Sequence, residues 1–502
     1  MFRNSTRRWL AGLGVAGAFI AASATPAAAA GAPFEVITSN LIVAPGHSTY
    51  GFVFAMSADP EHPVSFGRTT LDIDFSGIAN FAVPEFEGEG GDWACQTSGT
   101  SVHCESDLGR YQEPALGFVV TGKDDAKPGQ QGDIVFAVTS GGKKASANAT
   151  VTLAEAVDLQ TEQELTASGD PGAKVGVRPL VRNGSEVTSH GAVMVFSTDY
   201  LNQYAGDFSN CDTFGFFGLT VCTFDQELEP GKEYQAAVDV PVRLDKDVRS
   251  GARLGAVLSW WTKDDWAVVS EGIPAGEPGK GKELRLVEKA GAKSLRVPQT
   301  DPDFDNNWTD VTFTVTGNHP ADLSAAGAQA SGKKGDVVRV TPSFTNLGPA
   351  LLEYQDGPLF RVTIPKGTTA VDVSGDCQPY TTDKEWDPWD GLWGEPGAKE
   401  YACMASETPK GMKYDYEFSL RIDKVVPNAS GAVMVRLPGD PNSKNDSAAI
   451  VINPSDGGQG GGGTLPITGS ATGLIAGIGA LLLAAGVGGF AVARRRKTRF
   501  VA

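Results

Sequence analysis

Between residues 31 and 453 the sequence sustains no long apolar period of 3.6 residues. It is built from short runs such as GDIVFAVTS (132–140), AVMVFST (192–198), YQAAVDVPVRL (234–244), DVVRVTPSFTN (336–346), LFRVTIP (359–365) and YDYEFSLRI (414–422). In these runs β-branched and aromatic residues alternate or cluster. Successive side chains of a strand point to opposite faces, so the pattern suits half-buried strands and not helices. Pro, Gly, Asn and Asp separate the runs and supply the turns. With 62 glycines and 30 prolines in 502 residues, the punctuation is dense and the elements must be short. The sequence therefore predicts an all-β chain of tandem β-sandwiches, and it argues against α/β enzyme folds, which need alternating helices.

An internal repeat divides the chain. VDLQTEQELTASGDPGAKVGVRPLVRNG (157–184) corresponds to ADLSAAGAQASGKKGDVVRVTPSFTNLG (321–348), and DPDFDNNWTDVTFTV (301–315) to DPNSKNDSAAIVI (440–452). Residues 31–153 read as a more divergent first copy, 154–316 as a second with an extra segment near its last strands, and 317–453 as a third. Cys95 and Cys104, Cys211 and Cys222, and Cys377 and Cys403 fall one pair to a copy, between the middle strands of each. Six cysteines allow 15 pairings, and the repeat selects the one that bonds neighbours within each copy. The openings GDVVRVTPSFTNLGPA and the DPNxxND closings resemble the immunoglobulin-like conserved repeats of bacterial surface proteins. That resemblance implies immunoglobulin-like sandwiches and says little about a ligand.

The two ends carry addresses. Arg3, Arg7 and Arg8 precede an apolar run from Leu10 to Ala22 and small residues up to Ala30, the pattern of a signal peptide cut between Ala30 and Gly31. Residues 454–464 form a glycine-rich linker, 465–469 read LPITG, 470–493 are uncharged, and 494–502 hold Arg494, Arg495, Arg496, Lys497 and Arg499. As a helix the uncharged stretch is about 35 Å long, enough to cross a hydrocarbon core, and the positive-inside rule holds the basic tail in the cytoplasm. Pro466 keeps Leu465 extended, and the glycines before it offer no regular structure.

This order of motif, apolar span and basic tail resembles the LPxTG sorting signal of sortase-anchored cell-wall proteins of Gram-positive bacteria. The resemblance implies that a sortase recognises Leu465, Pro466, Ile467, Thr468 and Gly469, with Ile467 at the variable position. It cleaves after Thr468 and passes the Thr468 carboxyl to an amine of the peptidoglycan cross-bridge. The membrane is then a partner only before cleavage.

Once the three basic charges of residues 1–30 and the five of 469–502 are set aside, the net charge of −18 becomes −26 for the exported body. So acidic a body repels nucleic acid. No GxSxG, P-loop or HExxH is present, the five histidines stand singly, and neither an enzyme nor a cofactor is expected; a surface hydrolase, which needs only two carboxylates, stays the alternative. Asp301, Asp303 and Asp305 have the spacing of a calcium loop but lack its glycine at position six and glutamate at twelve, so a turn before the last strand is the better reading. Trp386, Trp389 and Trp393 sit in a Pro- and Gly-rich loop between Cys377 and Cys403. Such rings either bind a surface glycan or protein, or fold back over the sandwich end. The same choice stands for Trp260, Trp261 and Trp266 in the extra segment.

Overall fold

The computed structural model describes residues 32–59, 63–86, 93–107, 114–215, 218–271, 273–288, 297–353, 360–381 and 391–454. The signal cleavage site at Ala30 and Gly31, Trp386 and Trp389, the LPITG motif and the 470–493 span lie outside these residues.

The chain is all-β, with one short α-helix among the described residues. Its first ten strands are Phe34–Thr38 (β1), Leu41–Val43 (β2), Ser48–Ser57 (β3), Arg68–Asp74 (β4), Ala82–Phe86 (β5), Ala94–Ser98 (β6), Ser101–Asp107 (β7), Ala115–Gly122 (β8), Gln131–Ser140 (β9) and Lys143–Leu153 (β10). They form a four-stranded sheet in the order β1-β3-β8-β5 and a six-stranded sheet in the order β2-β10-β9-β4-β7-β6. Burial alternates residue by residue along β4, β7 and β8, as a sheet with one face in the core requires. Phe118 of the smaller sheet and Phe136 of the larger are both fully buried, their ring centres 5.2 Å apart across the core. Each such side chain contributes roughly 1.5–3 kcal/mol on burial. The opening segment changes sheets: β1 runs antiparallel to β3, and β2 runs parallel to β10. A four-stranded sheet facing one that contains the last two strands, with this switch between them, is the immunoglobulin arrangement.

The larger sheet recurs twice with the same order. In the second sandwich it runs Glu164–Gly169, Trp308–Val315, Arg253–Trp261, Ala192–Ser197, Leu219–Phe224 and Cys211–Phe214. In the third it runs Ala328–Ala330, Ser447–Ile452, Ala429–Val435, Phe360–Thr363, Glu400–Cys403 and Cys377–Pro379. In both, the first of these strands again runs parallel to the second, the last strand of its sandwich. The strand matching β3 is cut in two in each of these copies, at Arg178-Pro179 and at Thr341-Pro342. Proline has no N–H to give a ladder, so the smaller sheet divides there.

The described residues fall into two compact units. One runs up to Ala321 and includes Pro349–Glu353; the other holds Asp322–Gly348 and the described residues from 360 onward. In the first unit the Leu351 N–H donates to the Asp247 carbonyl at 2.6 Å. The guanidinium of Arg249 grips the Glu353 carboxylate with Nε at 3.0 Å and Nη2 at 2.6 Å, both side chains about nine-tenths buried. Such a fork fixes orientation as well as charge.

All three disulfides join the expected partners, Cys95–Cys104, Cys211–Cys222 and Cys377–Cys403. Each bridges directly opposed residues of neighbouring antiparallel strands, with Cα atoms 4.0, 3.9 and 4.0 Å apart. Although these strands lie mid-sequence in each copy, they stand at the end of the larger sheet in the first and third, and in the second only the short strand Glu277–Pro278 lies beyond them. The bonds pin that end. Sequence separations are 9, 11 and 26 residues, so loop-closure entropy ranks them. Replacing both Cys377 and Cys403 by serine should cost roughly 1 kcal/mol more in denaturant unfolding than replacing Cys95 and Cys104. Equal losses would place the stabilisation in local packing.

Candidate functional site

Where the first sandwich ends and the second begins, the backbone has no free stretch. After β10 ends at Leu153, the Ala154 N–H donates to the Val43 carbonyl (2.8 Å), Glu155 N–H to Pro298 (2.7 Å) and Val157 N–H to Thr300 (2.9 Å). Leu153, Ala154 and Val157 are fully buried. Glu155–Ala156 pairs in parallel with Gln299–Thr300, a short ladder that belongs to neither large sheet. Asn40 of the first sandwich accepts the Thr150 N–H on Oδ1 at 2.8 Å and donates through Nδ2 to Glu271 Oε2 at 2.5 Å.

The extra segment of the second copy builds the far side of this joint. Thr262 caps helix α1 (Lys263–Val269): its Oγ1 accepts the Asp265 N–H at 3.0 Å. Asp264 and Asp265 occupy the first turn, where the helix dipole favours negative charge. They also reach across to the strand Gln299–Thr300 and to Asp301, which follows it. Asp264 Oδ2 accepts the Gln299 N–H at 3.0 Å, and Asp265 Oδ2 accepts the Asp301 N–H at 2.9 Å.

Asp301 is the second buried carboxylate. Its oxygens accept the N–H of Leu159 (2.6 Å), the Nδ2 of Asn307 (3.0 Å) and the N–H of Asp303 (3.0 Å). Burial pushes its pKa up to about 7, and the neighbouring Asp265 adds to the rise. Burial likewise pushes Asp265 up to about 6, helped by Asp264. Asp303 and Asp305 are exposed, so the three-carboxylate spacing is a turn whose first member closes onto the opening strand. Among the described residues no group of three or more His, Cys, Asp or Glu is placed to hold a metal.

The third sandwich repeats this latch. Asp440 accepts the N–H of Leu323 and of Asn442, each at 2.8 Å, and Asn445 Nδ2 donates to Asp322 at 2.8 Å, as Asn306 Nδ2 donates to Asp158 at 3.0 Å. The DPxxxNx phrases are thus the clasp between first and last strands of a copy.

The tryptophans of the extra segment divide. Trp260 is fully buried in the core beside Phe224, ring centres 5.7 Å apart. Trp261 points to the other face of the sheet and meets Trp266 at 5.9 Å and Phe304 at 4.1 Å; Phe304 meets Trp308 at 5.3 Å. Trp261 and Trp266 cover Val193, Val195, Leu219 and Val221, which would otherwise face water. Their planes are tilted at 65°, 52° and 90°, an edge-to-face cluster of rings that pack on one another and present no flat platform. Trp393 is half-buried. The sequence reading did not single out Asn40, Asp265, Glu271 or Asn307; the T-x-x-D spacing of Thr262 and Asp265, a helix-start signal, is what could have drawn attention to this corner.

No known family description matches the sequence, and no curated protein does. Among solved structures, a Corynebacterium diphtheriae protein described as membrane anchored aligns at 9% identity over 83% of this chain and 91% of its own, TM-score 0.17. The I67–I69 fragment of titin aligns at 8% over 85% and 99%, TM-score 0.16. A protein of unknown function from Porphyromonas gingivalis W83 aligns at 12% over 57% and 100%, TM-score 0.20. At these scores the likenesses add nothing to the fold read from the strand order.

Because Asp265 and Asp301 hold protons more tightly when folded than the usual carboxylate value of 3.8, the folded state binds more protons between about pH 4 and about pH 7. The stability this gives is complete below pH 4 and is lost as pH rises through 6 and 7. Protection of the Leu159 amide against hydrogen exchange, corrected for intrinsic rate, should therefore fall from pH 5 to pH 8. The Asp265→Asn, Asp301→Asn double variant should flatten that fall; a fall of unchanged size would remove the pair from the joint's energetics.

Proposed function

We propose that the chain is an exported surface protein, joined to peptidoglycan by a sortase through Thr468, whose sandwiches serve as a stalk or adhesion module. The observation that carries the stalk reading is the joint. A segment that bonds the amides of Ala154, Glu155 and Val157 and fully buries Leu153, Ala154 and Val157 can transmit force without a slack linker, as suits a spacer between wall and surroundings. One disulfide to each sandwich fits a chain that works outside the reducing cytoplasm. An exported body of charge −26 stays soluble when crowded on a surface. The attachment itself rests on the LPITG sequence, the apolar span and the basic tail in that order. In this reading the protein is a substrate of the sortase and performs no chemistry of its own.

Mass spectrometry of muramidase-released wall fragments tests the attachment. The expected C-terminal residue is Thr468, amide-linked to a cross-bridge peptide, and Thr468→Ala or loss of the sortase should move the protein to the membrane fraction and the medium. A mature chain ending at Ala502, indifferent to the sortase, would overturn it.

A further inference from the structure

The three copies treat one sheet edge differently. In the second, the edge strand Cys211–Phe214 is covered by an added strand from the extra segment, with Asp212 opposite Pro278 and Thr213 opposite Glu277. In the third, the edge strand Cys377–Pro379 has three residues and ends in proline. In the first, β6 is five residues long, Ala94–Ser98, and contains no proline, lysine or other charge. Among the described residues β6 pairs with β7 alone. Proteins ordinarily blunt such an edge by charge, proline or cover, and among the described residues none is present here.

The register says which backbone groups are free. Cys95 and Cys104 stand directly opposite with Cα atoms 4.0 Å apart, the close spacing of a pair that exchanges no hydrogen bonds. Cys95 and, two residues on, Thr97 therefore turn their N–H and C=O away from β7. Gln96 bonds inward to His103 and presents its side chain on the sheet face opposite Cys95.

We propose that β6 pairs with β6 of a second copy of this chain, antiparallel about a two-fold axis through Gln96. In that register Cys95 faces Thr97 of the second copy and Thr97 faces its Cys95. Both outward residues of both copies are satisfied, giving four backbone hydrogen bonds; a register shifted by one residue sets outward groups against inward ones. An uncharged strand on so acidic a body is the place where two copies approach with least repulsion. Backbone self-complementarity in this register is the recognition that β6 offers, and it needs no pocket for a side chain. Four backbone hydrogen bonds, each exchanged for bonds to water, make a weak contact. Its extent grows with surface density, which rests on the anchoring proposed above; the contact itself does not.

The full-length chain carrying Gln96→Cys provides the trap, because in the proposed register the two substituted positions face each other at the close spacing of a pair without hydrogen bonds. On non-reducing gels we expect a disulfide-linked dimer, both on cells and in detergent extract. Adding Thr97→Pro removes one outward N–H from each copy and leaves the β6–β7 ladder whole, so the dimer should fall about tenfold or more. Thr97→Lys should weaken it in a salt-dependent way. Peptide mapping of the intact Cys95–Cys104 bond certifies each variant as folded. No dimer with Gln96→Cys alone, an undiminished dimer with both folded double variants, or a mixed disulfide with another protein in its place would each overturn the proposal. A dimer in extract from cells whose protein ends at Ala502 would uphold it while the wall attachment failed.

Discussion

The arrangement within each sandwich of this chain depends on one pairing, that of its opening strand with its closing strand, side by side and parallel. Two parallel neighbours begin at the same end of a sheet. A chain that opens and closes a sandwich in this way enters at one end and leaves at the other. Antiparallel closure would return the chain to its entry point and make each copy a side branch. Parallel closure needs the connecting chain to cross between sheets, which the change of partner between β1 and β2 achieves within three residues. The clasp at Asp301 and at Asp440 supports this pairing, since each carboxylate takes the N–H of the residue that begins the short strand just before the opening one, Leu159 and Leu323.

At the joint the same physics is used twice. Buried amides must find acceptors, and a joint made of backbone alone would need a continuous ladder between two sandwiches. The chain supplies acceptors from carboxylates instead. Asp264, Asp265 and Asp301 each accept a backbone N–H, and the burial that gives those bonds strength also raises the affinity of Asp265 and Asp301 for a proton. A cluster of acids that looks in sequence like a cation loop is in space an N–H receiver. Geometry distinguishes the two, because the lone pairs of Asp301 are already engaged by Leu159, Asn307 and Asp303.

Sequence periodicity revealed the all-β class, and the repeat revealed the cysteine pairing, because both are local or recurrent signals. The clasp was half legible: the DPDFDNN and DPNSKND phrases align, yet nothing in either phrase names its partner, 142 residues earlier in one copy and 117 in the other. The joint was not legible, since Asn40 and Glu271 meet across 231 residues and neither stands in a motif. The tryptophans show why composition alone could not decide. Trp260 and Trp261 are neighbours on one strand, and the alternation of strand side chains sends one into the core and the other to the opposite face.

That opposite face also explains why the copies differ at their edges. In the second sandwich the outer face carries Val193, Val195, Leu219 and Val221, and a segment that covers them also passes the sheet edge, so Glu277–Pro278 closes it at no further cost in chain ordering. The first sandwich has no such apolar outer face: on β4 and β7 the outward residues include Arg68, Asp72, His103 and Glu105, which pair with one another in water. Among the described residues no strand is added beyond β6, whose Cys95 and Thr97 turn their backbone groups outward. An open edge in the first copy and a closed one in the second are thus two results of a single difference in outward-facing residues.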